Sequence, residues 1–527
     1  MFSPTFEQLT RSAHRHAEAG DWDAARKNWL QALAIAPASA EVMLELSYVE
    51  SLAGHYRDAR EWALRAATAW SGSSDVVVSL LQRLRTFNEV PAVRGIVSTL
   101  LAGPATPASV LVECARQLNS LNEFDLALRC AQAATSQAPD DLIARLTRGQ
   151  LLAHHGRIEE AAGDIRWALD RQPGIPIAWW MLARLHKQTL QSNHLDTLRA
   201  LLATPDLHPE HASALARALH KELDDVGAYV EAWAALDTLC KAKRSTERHD
   251  KDEHRRLIDA LMAWRPMSSA PQGVEETAKT PVFIVGMHRS GTTLLEQLLS
   301  GNPQLLGLGE LIDFTSAMRH EADHYCRGTI DLTMVNRASM VDFKAVGQRY
   351  LASVACRLGE QPFFSDKQPA NFLNIGFICQ AFPHAKILHM VRDPVETCFS
   401  NLRELFTDIN PHSYDQREMA DYFIQYRRLM AHWHGLFPGR ILDVDYARLT
   451  AHPEATMREV AAFCGIDYVT GMSSTSSSRR AVATASSIQI REGVVRRETP
   501  KWLPYAHHLQ PLIDALRQGG VDVSPPT

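Results

Sequence analysis

The stretch PVFIVGMHRSGTTLLEQLL, residues 281–299, decides the fold of the C-terminal half. Residues 281–285 form a short apolar, β-branched run, which predicts a buried parallel strand. The glycines Gly286 and Gly291 then have the spacing of a phosphate-binding loop, G-x-x-x-x-G-K-[ST], and the leucines that follow predict a helix. In this order, backbone N–H groups and the positive end of a helix dipole can hold an oxyanion.

The loop departs from the pattern of nucleoside-triphosphate enzymes at one position. Thr292 stands where those enzymes have lysine, and Thr293 fills the final hydroxyl position. The missing lysine reaches the β- and γ-phosphates, so its absence favours a donor with a single 5′-phosphate, which Arg289 and the two threonines can hold. A nucleotide or small-molecule kinase remains the alternative, and magnesium-dependent ATP turnover would identify it.

The composition fits a folded soluble protein of two or three domains. The chain has 527 residues, 46% hydrophobic and 22% charged, with a net charge of −5. This charge gives no sign of a nucleic-acid or anionic-membrane partner. Eight scattered cysteines without C-x-x-C spacing predict reduced thiols, and the sequence has neither a signal-like apolar region at its start nor an apolar run of about 18 residues. We therefore expect a cytoplasmic protein.

The N-terminal half repeats every 34 residues. The repeated motif begins at Gly20 (GDWDAA), Gly54 (GHYRDA), Asn88 (NEVPAV), Asn122 (NEFDLA) and Gly156 (GRIEEA). Glycine or asparagine here predicts a left-handed helix end, and the bulky residue two positions later begins the next helix. Alanine at 25, 59, 127 and 161 lets helices approach, and Pro37, Pro139 and Pro173 predict helix ends. The pattern resembles the tetratricopeptide repeat.

We predict three segments from these patterns. Residues 1–265 form an all-α tetratricopeptide-repeat (TPR) superhelix of about six to seven repeats, with a blurred sixth near residue 190 and a shifted seventh from Gly227. Residues 266–280 are a linker, and residues 281–520 form a P-loop-like α/β domain with a mostly parallel sheet. The concave face of the superhelix either binds a peptide or protein, or the superhelix only braces or oligomerises the other half. In the first case it aids acceptor choice and leaves the donor site complete without it.

Four motifs occur in order in the C-terminal half: RSGTTLL from Arg289, VRDPVETCFS with Arg392 and Ser400, DVDYARLTAHP with Tyr446, and SSIQIREGVVRRETPKW with Ser486 and Lys501. Arg392 follows a predicted strand, Lys386–Val391, at the sheet edge where ligands bind. Together the motifs resemble sulfotransferases that use 3′-phosphoadenosine 5′-phosphosulfate (PAPS), in particular the tyrosylprotein branch.

The resemblance implies a role for each motif residue. The loop residues Arg289, Ser290, Gly291, Thr292 and Thr293 would hold the 5′-phosphosulfate. Arg392 and Ser400 would clamp the 3′-phosphate, and Tyr446, Ser486 and Lys501 would contact the nucleotide. That branch has a second arginine twelve residues after the first, where this sequence has Glu404.

The resemblance also implies the catalytic residues Glu310, Lys367 and Arg289. Glu310 lies 21 residues after Arg289, at the distance of the branch's catalytic glutamate, and Lys367 matches the lysine that contacts the bridging oxygen. Apolar neighbours would raise the pKa of Glu310 and make it a better base. The alternatives are a helix-capping or surface glutamate and a surface lysine paired with Asp366. The product would be 3′,5′-adenosine bisphosphate, and no metal is expected.

Two other interpretations remain at this point. HEADH, residues 320–324, fits the H-E-x-x-H zinc motif, but no third ligand follows at a suitable place, and an exposed helix face explains it as well. The chain could also be a non-enzymatic adaptor with an inactive sulfotransferase-like domain. The joint presence of the loop, base and clamp residues argues against that reading.

Overall fold

A computed structural model describes residues 5–103, 106–266, 274, 279–406, 410–474 and 499–523. Its N-terminal part is helical and its C-terminal part contains a five-stranded parallel sheet, which confirms the predicted fold class. Contacts divide the chain into two compact units: residues 1–151 with 312–356, and residues 152–311 with 357–527. Units defined by contacts do not test boundaries that were predicted from sequence repeats. The boundaries predicted at 265 and 281 therefore stay a prediction.

Fifteen helices precede the sheet in the described residues. They are α1 Phe6–Glu18, α2 Trp22–Ile35, α3 Ala40–Leu52, α4 Tyr56–Ala69, α5 Ser74–Thr86, α6 Val90–Ala102, α7 Ala108–Ser120, α8 Phe124–Gln137, α9 Leu142–His154, α10 Ile158–Arg171, α11 Pro176–Ala183, α12 Leu195–Leu202, α13 Pro209–Asp225, α14 Tyr229–Thr246 and α15 Lys251–Ala263.

The 34-residue period is visible in the backbone. The repeated glycine or asparagine has a positive φ in every unit: Gly20 76°, Gly54 87°, Asn88 60°, Asn122 61° and Gly156 75°. The even-numbered helices α2 to α10 each begin two residues later, as predicted. The alanines at 25, 59, 127 and 161 have no exposed surface. Helices α2, α8 and α10 end two residues before the prolines that were expected to stop them.

The later repeats are irregular. Helices α11 and α12 have only eight residues each, where the earlier repeats have 13 or 14. Helices α13 and α14 are longer, with 17 and 18 residues, and Gly227 between them has a φ of 80°. The blurred sixth unit and the shifted seventh unit stay a prediction.

The sheet has the order β2-β3-β1-β4-β5, and all its strand pairs are parallel. Its strands are β1 Thr280–Gly286, β2 Leu305–Gly307, β3 Phe363–Asp366, β4 Lys386–Val391 and β5 Ile441–Asp445. Among the described residues, the further α-helices are α16 Thr292–Leu299, α17 Asp313–Glu321, α18 Leu332–Arg337, α19 Phe343–Val354, α20 Ile375–Ala381, α21 Pro394–Leu402, α22 Gln416–Leu436, α23 Tyr446–Ala451, α24 Pro453–Cys464 and α25 Gln510–Gln518.

Strand β1 lies in the middle of the sheet and is buried along almost its whole length. It pairs with β3 on one side and with β4 on the other. In the pair with β4, Val282 lies opposite Lys386 and Gly286 lies opposite Met390. Leu295 and Leu298 of α16 belong to a core cluster with Ile284 of β1. The chain therefore reverses its strand order at the carboxyl end of β1, the position where open α/β sheets bind ligands.

No helix in the described ranges is long and apolar enough to cross a lipid bilayer.

Candidate functional site

Each of the five strands is followed closely by one of the predicted site residues. Arg289 follows β1, Glu310 follows β2, Lys367 follows β3, Arg392 follows β4 and Tyr446 follows β5. Parallel strands present their carboxyl ends on one edge of the sheet, so these five residues share that edge. The sequence spacing between them ranges widely, and only the sheet topology brings them to one place.

The loop after β1 has the conformation that its glycines predict. Gly286 and Gly291 have φ values of 150° and 108°, and Arg289 between them has 67°. A Cβ at Gly286 would lie 2.8 Å from the backbone oxygen of Met390, and a Cβ at Gly291 would lie 2.5 Å from the ring of Tyr446. Both positions therefore require glycine, for the backbone conformation and for the close approach of neighbours.

The loop contains a buried polar atom that has no hydrogen-bond partner among the described residues. The hydroxyl of Ser290 is inaccessible to solvent and has no hydrogen bond to any described residue. Thr292 and Thr293 begin α16 and are also buried. A buried hydroxyl at a helix N-terminus, in a cradle that a Cβ would fill, fits an oxyanion such as the 5′-phosphosulfate of PAPS.

The two predicted catalytic groups form an ion pair. Lys367 Nζ lies 2.5 Å from Glu310 Oε1. The Lys367 side chain is fully buried, whereas that of Glu310 is 39% exposed. The Glu310 side chain is therefore partly accessible, whereas the Lys367 side chain is enclosed by the protein.

The expectation of a raised pKa for Glu310 is wrong. Burial raises this pKa, but the charge and hydrogen bond of Lys367, with smaller effects of His288 and Arg289, outweigh it and hold the pKa below its usual value. Burial lowers the pKa of His288, so its imidazole is neutral at pH 7. At neutral pH Glu310 is thus already in the ionised form that a general base requires.

Arg392 contacts the loop after β1, helix α21 and the ring of Tyr446. Its guanidinium donates to the backbone oxygen of Arg289 at 3.0 Å and to Glu396 at 3.0 Å. Its Cζ atom lies 4.3 Å from the centre of the Tyr446 ring. Asp393 caps α21 by accepting the N–H of Glu396 at 2.7 Å, with Pro394 in the first turn. Arg392 and Tyr446 are therefore brought together at the loop.

Arg289 points toward α21. Its Nε donates to Ser400 Oγ at 3.2 Å, and its NH1 atom lies 3.8 Å from Glu404 Oε2. Glu404 also forms a 2.7 Å ion pair with Arg217 of α13. Burial raises the pKa of Glu404, but the charges of Arg217, Arg289 and Arg184 outweigh it and keep the pKa below its usual value. The sequence motifs gave no sign of Arg217 or Arg184.

Two predicted nucleotide contacts are not placed at the site by any described contact. Ser486 lies outside the described residues. Lys501 is half-buried in the segment 499–523, beside the buried side chain of Trp502. Their roles stay predictions.

The HEADH segment is neither a zinc motif on one helix nor an exposed helix face. Helix α17 ends at Glu321, and Asp323 has a φ of 46°, so His324 lies beyond the helix and bonds Asp331 at 2.7 Å. Arg57 of α4 donates to the backbone oxygens of His320 and Glu321 at 2.8 and 2.6 Å. The segment packs against a repeat helix instead.

A second group of ligand-type residues lies away from the loop. His389 Nδ1 and His434 Nε2 lie 2.7 and 2.9 Å from the same oxygen of Asp443. Two ligands of one tetrahedral zinc ion would lie more than about 3.2 Å apart, given metal–ligand bonds of about 2.0–2.1 Å. These distances fit hydrogen bonds, so we interpret the group as a hydrogen-bonded cluster.

Comparison with known proteins identifies both parts of the chain. Residues 281–470 match the sulfotransferase family, and residues 10–74 and 116–174 match the tetratricopeptide repeat. The chain therefore carries tetratricopeptide repeats followed by a sulfotransferase-family domain, as the motifs predicted.

Curated relatives match over part of their length. An uncharacterized protein of Aquifex aeolicus is 29% identical over 70% of this chain and 51% of its own length. Protein-tyrosine sulfotransferase 1 of Danio rerio is 23% identical over 42% of this chain and 65% of its own length. This chain thus spans about half to two thirds of these relatives. The sulfotransferase domain of the Synechococcus PCC 7002 olefin synthase matches with 17% identity and a TM-score of 0.30, over 49% of this chain and all of that domain.

Proposed function

We propose that the protein transfers the sulfuryl group of PAPS to an acceptor hydroxyl and releases 3′,5′-adenosine bisphosphate. The observation that carries the proposal is the ion pair between Glu310 and Lys367, at the same sheet edge as a phosphate-type loop with threonine in place of the lysine. A kinase would need to stabilise a triphosphate, for which this loop has no lysine.

Glu310 acts as the general base in this proposal. Its carboxylate is ionised and its side chain is partly exposed, so an incoming hydroxyl can donate a hydrogen bond to it beside Lys367. As the acceptor oxygen forms its bond to sulfur, Glu310 takes the proton, and the bond between sulfur and the bridging phosphate oxygen breaks. The bisphosphate leaves with the electron pair of that bond.

Lys367 and Arg289 stabilise the charge that this step moves. Lys367 is fully buried, so its ammonium group is held in place for the bridging oxygen. Arg289, Ser290, Gly291, Thr292 and Thr293 would hold the 5′-phosphosulfate through the loop and the start of α16. Arg392 and Ser400 would bind the 3′-phosphate, with Tyr446, Ser486 and Lys501 around the nucleotide.

The acceptor is proposed from the relatives and the repeats. Relatives named protein-tyrosine sulfotransferase favour a tyrosine hydroxyl in a peptide or protein. Tetratricopeptide repeats are suited to binding such a chain, so we propose that the helical part helps to select the acceptor. Glycan and small-molecule hydroxyls remain the other candidates. The cytoplasmic location remains a proposal from the scattered cysteines.

The first test is donor binding and transfer without metal. We expect the full chain to bind 3′,5′-adenosine bisphosphate in the presence of EDTA and to transfer isotopically labelled sulfate from PAPS to one of three acceptor pools: tyrosine peptides, glycans or small phenols. A clear requirement for magnesium, or turnover of ATP, would support a kinase. Failure to bind the bisphosphate would favour the inactive adaptor.

The second test is Glu310→Gln. The amide keeps the size of the side chain but cannot accept the proton, so turnover should fall by roughly 10²–10⁴ while bisphosphate affinity stays within a few-fold. In the pH–rate profile of the wild type, the fall in rate at acid pH should lie below the usual glutamate pKa of about 4.3. This fall should disappear in the variant. Glu454→Gln, an exposed glutamate paired with Arg458, is the matched control. Near-normal turnover of Glu310→Gln would remove Glu310 as the base.

A further inference from the structure

A carboxylate lies beside the arginine that the donor is proposed to use. Glu404 is 9% exposed, and its Oε2 atom is 3.8 Å from NH1 of Arg289. The lowered pKa of Glu404 shows that this group is ionised at neutral pH. A fixed negative charge at this distance competes with any anion that Arg289 is to bind. Binding of an anionic donor therefore requires a group that prevents Glu404 from moving closer to Arg289.

Arg217 of helix α13 makes the closest ion pair of that carboxylate. Its NH2 atom lies 2.7 Å from Glu404 Oε1, and its side chain is 8% exposed. Two further contacts fix the guanidinium. It lies over the ring of Trp180 at 4.1 Å, and its NH1 donates to the backbone oxygen of Arg403. Arg217 is thus held in place as the ion-pair partner of Glu404, and it is hydrogen-bonded to Arg403, the residue directly before Glu404.

We propose that Arg217 is a positioning residue that holds Glu404 at 3.8 Å from Arg289, short of a hydrogen-bonded pair, and that it thereby sets the affinity of the loop for the anionic donor. The inference rests on the proposed function. Arg217 is more than 1 Å closer to the carboxylate than Arg289 is, and Arg184 adds a further positive charge that lowers the pKa of Glu404. When Arg217 is lost, Glu404 pairs with Arg289, and the donor must then displace a buried carboxylate before it can bind.

The test is a double-mutant cycle in the full chain. The dissociation constant of 3′,5′-adenosine bisphosphate would be measured by titration calorimetry for the wild type, Arg217→Gln, Glu404→Gln and the double variant. We expect Arg217→Gln to bind about ten- to a hundred-fold more weakly. Glu404→Gln should bind within about three-fold of the wild type or more tightly, and the double variant should return to that range.

Two control variants separate charge from shape. Arg217→Lys keeps the positive charge and should bind more tightly than Arg217→Gln. Arg199→Gln removes an arginine that is 43% exposed on α12, where it pairs with Asp196 and Glu231, and should leave affinity unchanged. If Arg217→Gln does not fold, Arg217→Lys replaces it in the cycle: it should bind more weakly than the wild type and recover when combined with Glu404→Gln, and an unchanged affinity would refute the inference.

Distinct outcomes overturn the inference and the proposed function. If the wild type binds the bisphosphate but the double variant stays as weak as Arg217→Gln, Arg217 has only a structural role and the inference is wrong. Loss of binding in a folded Glu404→Gln variant would also refute it, because Glu404 would then assist the donor. If the wild type itself does not bind the bisphosphate, the proposed function fails first.

Discussion

The periodic packing positions of the regular repeats differ in chemical character from part of the buried face of helix α13. In the regular repeats the periodic buried positions are small and apolar, as at Ala59 and Ala127, which have no exposed surface. In α13 the buried residues include Arg217, His220 and Glu222. Charged residues are also buried in the regular repeats, as at Glu50 and Arg83, but there they bond to other repeat residues, Arg26 and Ser47.

The difference follows from what each region packs against. Arg403, just after α21, donates to Asp224 at 2.6 Å and to the imidazole of His220 at 2.8 Å. Asp224 also accepts the hydroxyl of Tyr505 at 2.6 Å. Buried charges are tolerated only when they are paired, so α13 is matched to residues of the sulfotransferase domain rather than to a generic next repeat.

The largest expected effect comes from removing all the helices that precede residue 266, α11 to α14 included. A chain that begins at Pro266 loses both Arg217 and Asp224, which leaves Glu404 and Arg403 without these partners. The sequence alone favoured a donor site that is complete without the repeats, and the contacts now reverse that expectation. We expect the Pro266 chain to show no cooperative thermal unfolding and no bisphosphate-induced rise in melting temperature.

A second truncation sharpens the comparison. A chain that begins at Gly174 loses α1 to α10 but keeps α11 to α14. It should bind the bisphosphate more tightly than the Pro266 chain in the same thermal-shift assay. Equal binding by the two chains would show that the irregular repeats are no more important to the donor site than the regular ones.

A smaller effect is expected from Asp224→Asn. The amide loses the ionic contact with Arg403, which should lower the free energy of unfolding by about 2 kcal/mol at pH 7. Urea denaturation measures this loss. Asp196→Asn is the matched control, because Asp196 is fully exposed and should change stability by less than about 0.5 kcal/mol.

The pH dependence of Asp224 gives a second readout. Burial raises its pKa, but Arg403, Tyr505 and His220 outweigh it, so the folded-state pKa lies below the unfolded value of about 3.9. A lowered pKa stabilises the fold above the unfolded value, and this stabilisation is lost as the pH falls through the folded one. The difference between wild type and Asp224→Asn should therefore shrink below about pH 4. A difference that stays constant with pH would exclude an ionic origin.

The features predicted from the sequence are those that local patterns encode. A left-handed residue every 34 positions and a strand–loop–helix unit at residues 281–299 each depend on nearby residues. The positions of Glu310 and Lys367 were inferred from resemblance, and the parallel sheet explains why residues so far apart in sequence form an ion pair.

The features that were missed depend on contacts between distant segments. Glu404 and Arg217 are 187 positions apart, and no local pattern marks either as a partner. As a sequence pattern, HEADH fits a helical zinc motif. In the structure the helix ends at Glu321, and Arg57 donates to the backbone oxygen of His320. The pKa of Glu310 was expected to rise because the apolar neighbours are visible in sequence, whereas the distance to Lys367 is not.

The smallest expected effect isolates the backbone at a single periodic position. Gly54 has a φ of 87°, and a Cβ there would meet no atom within 4 Å. Gly54→Ala should therefore lower the free energy of unfolding by about 1–2 kcal/mol through backbone strain alone. Gly95→Ala inside α6 also has open space and no positive φ, so it should raise stability by about 0.5–1 kcal/mol because alanine favours helix. Urea midpoints that shift in the same direction for both variants would show that the periodic glycine is not required by its left-handed conformation.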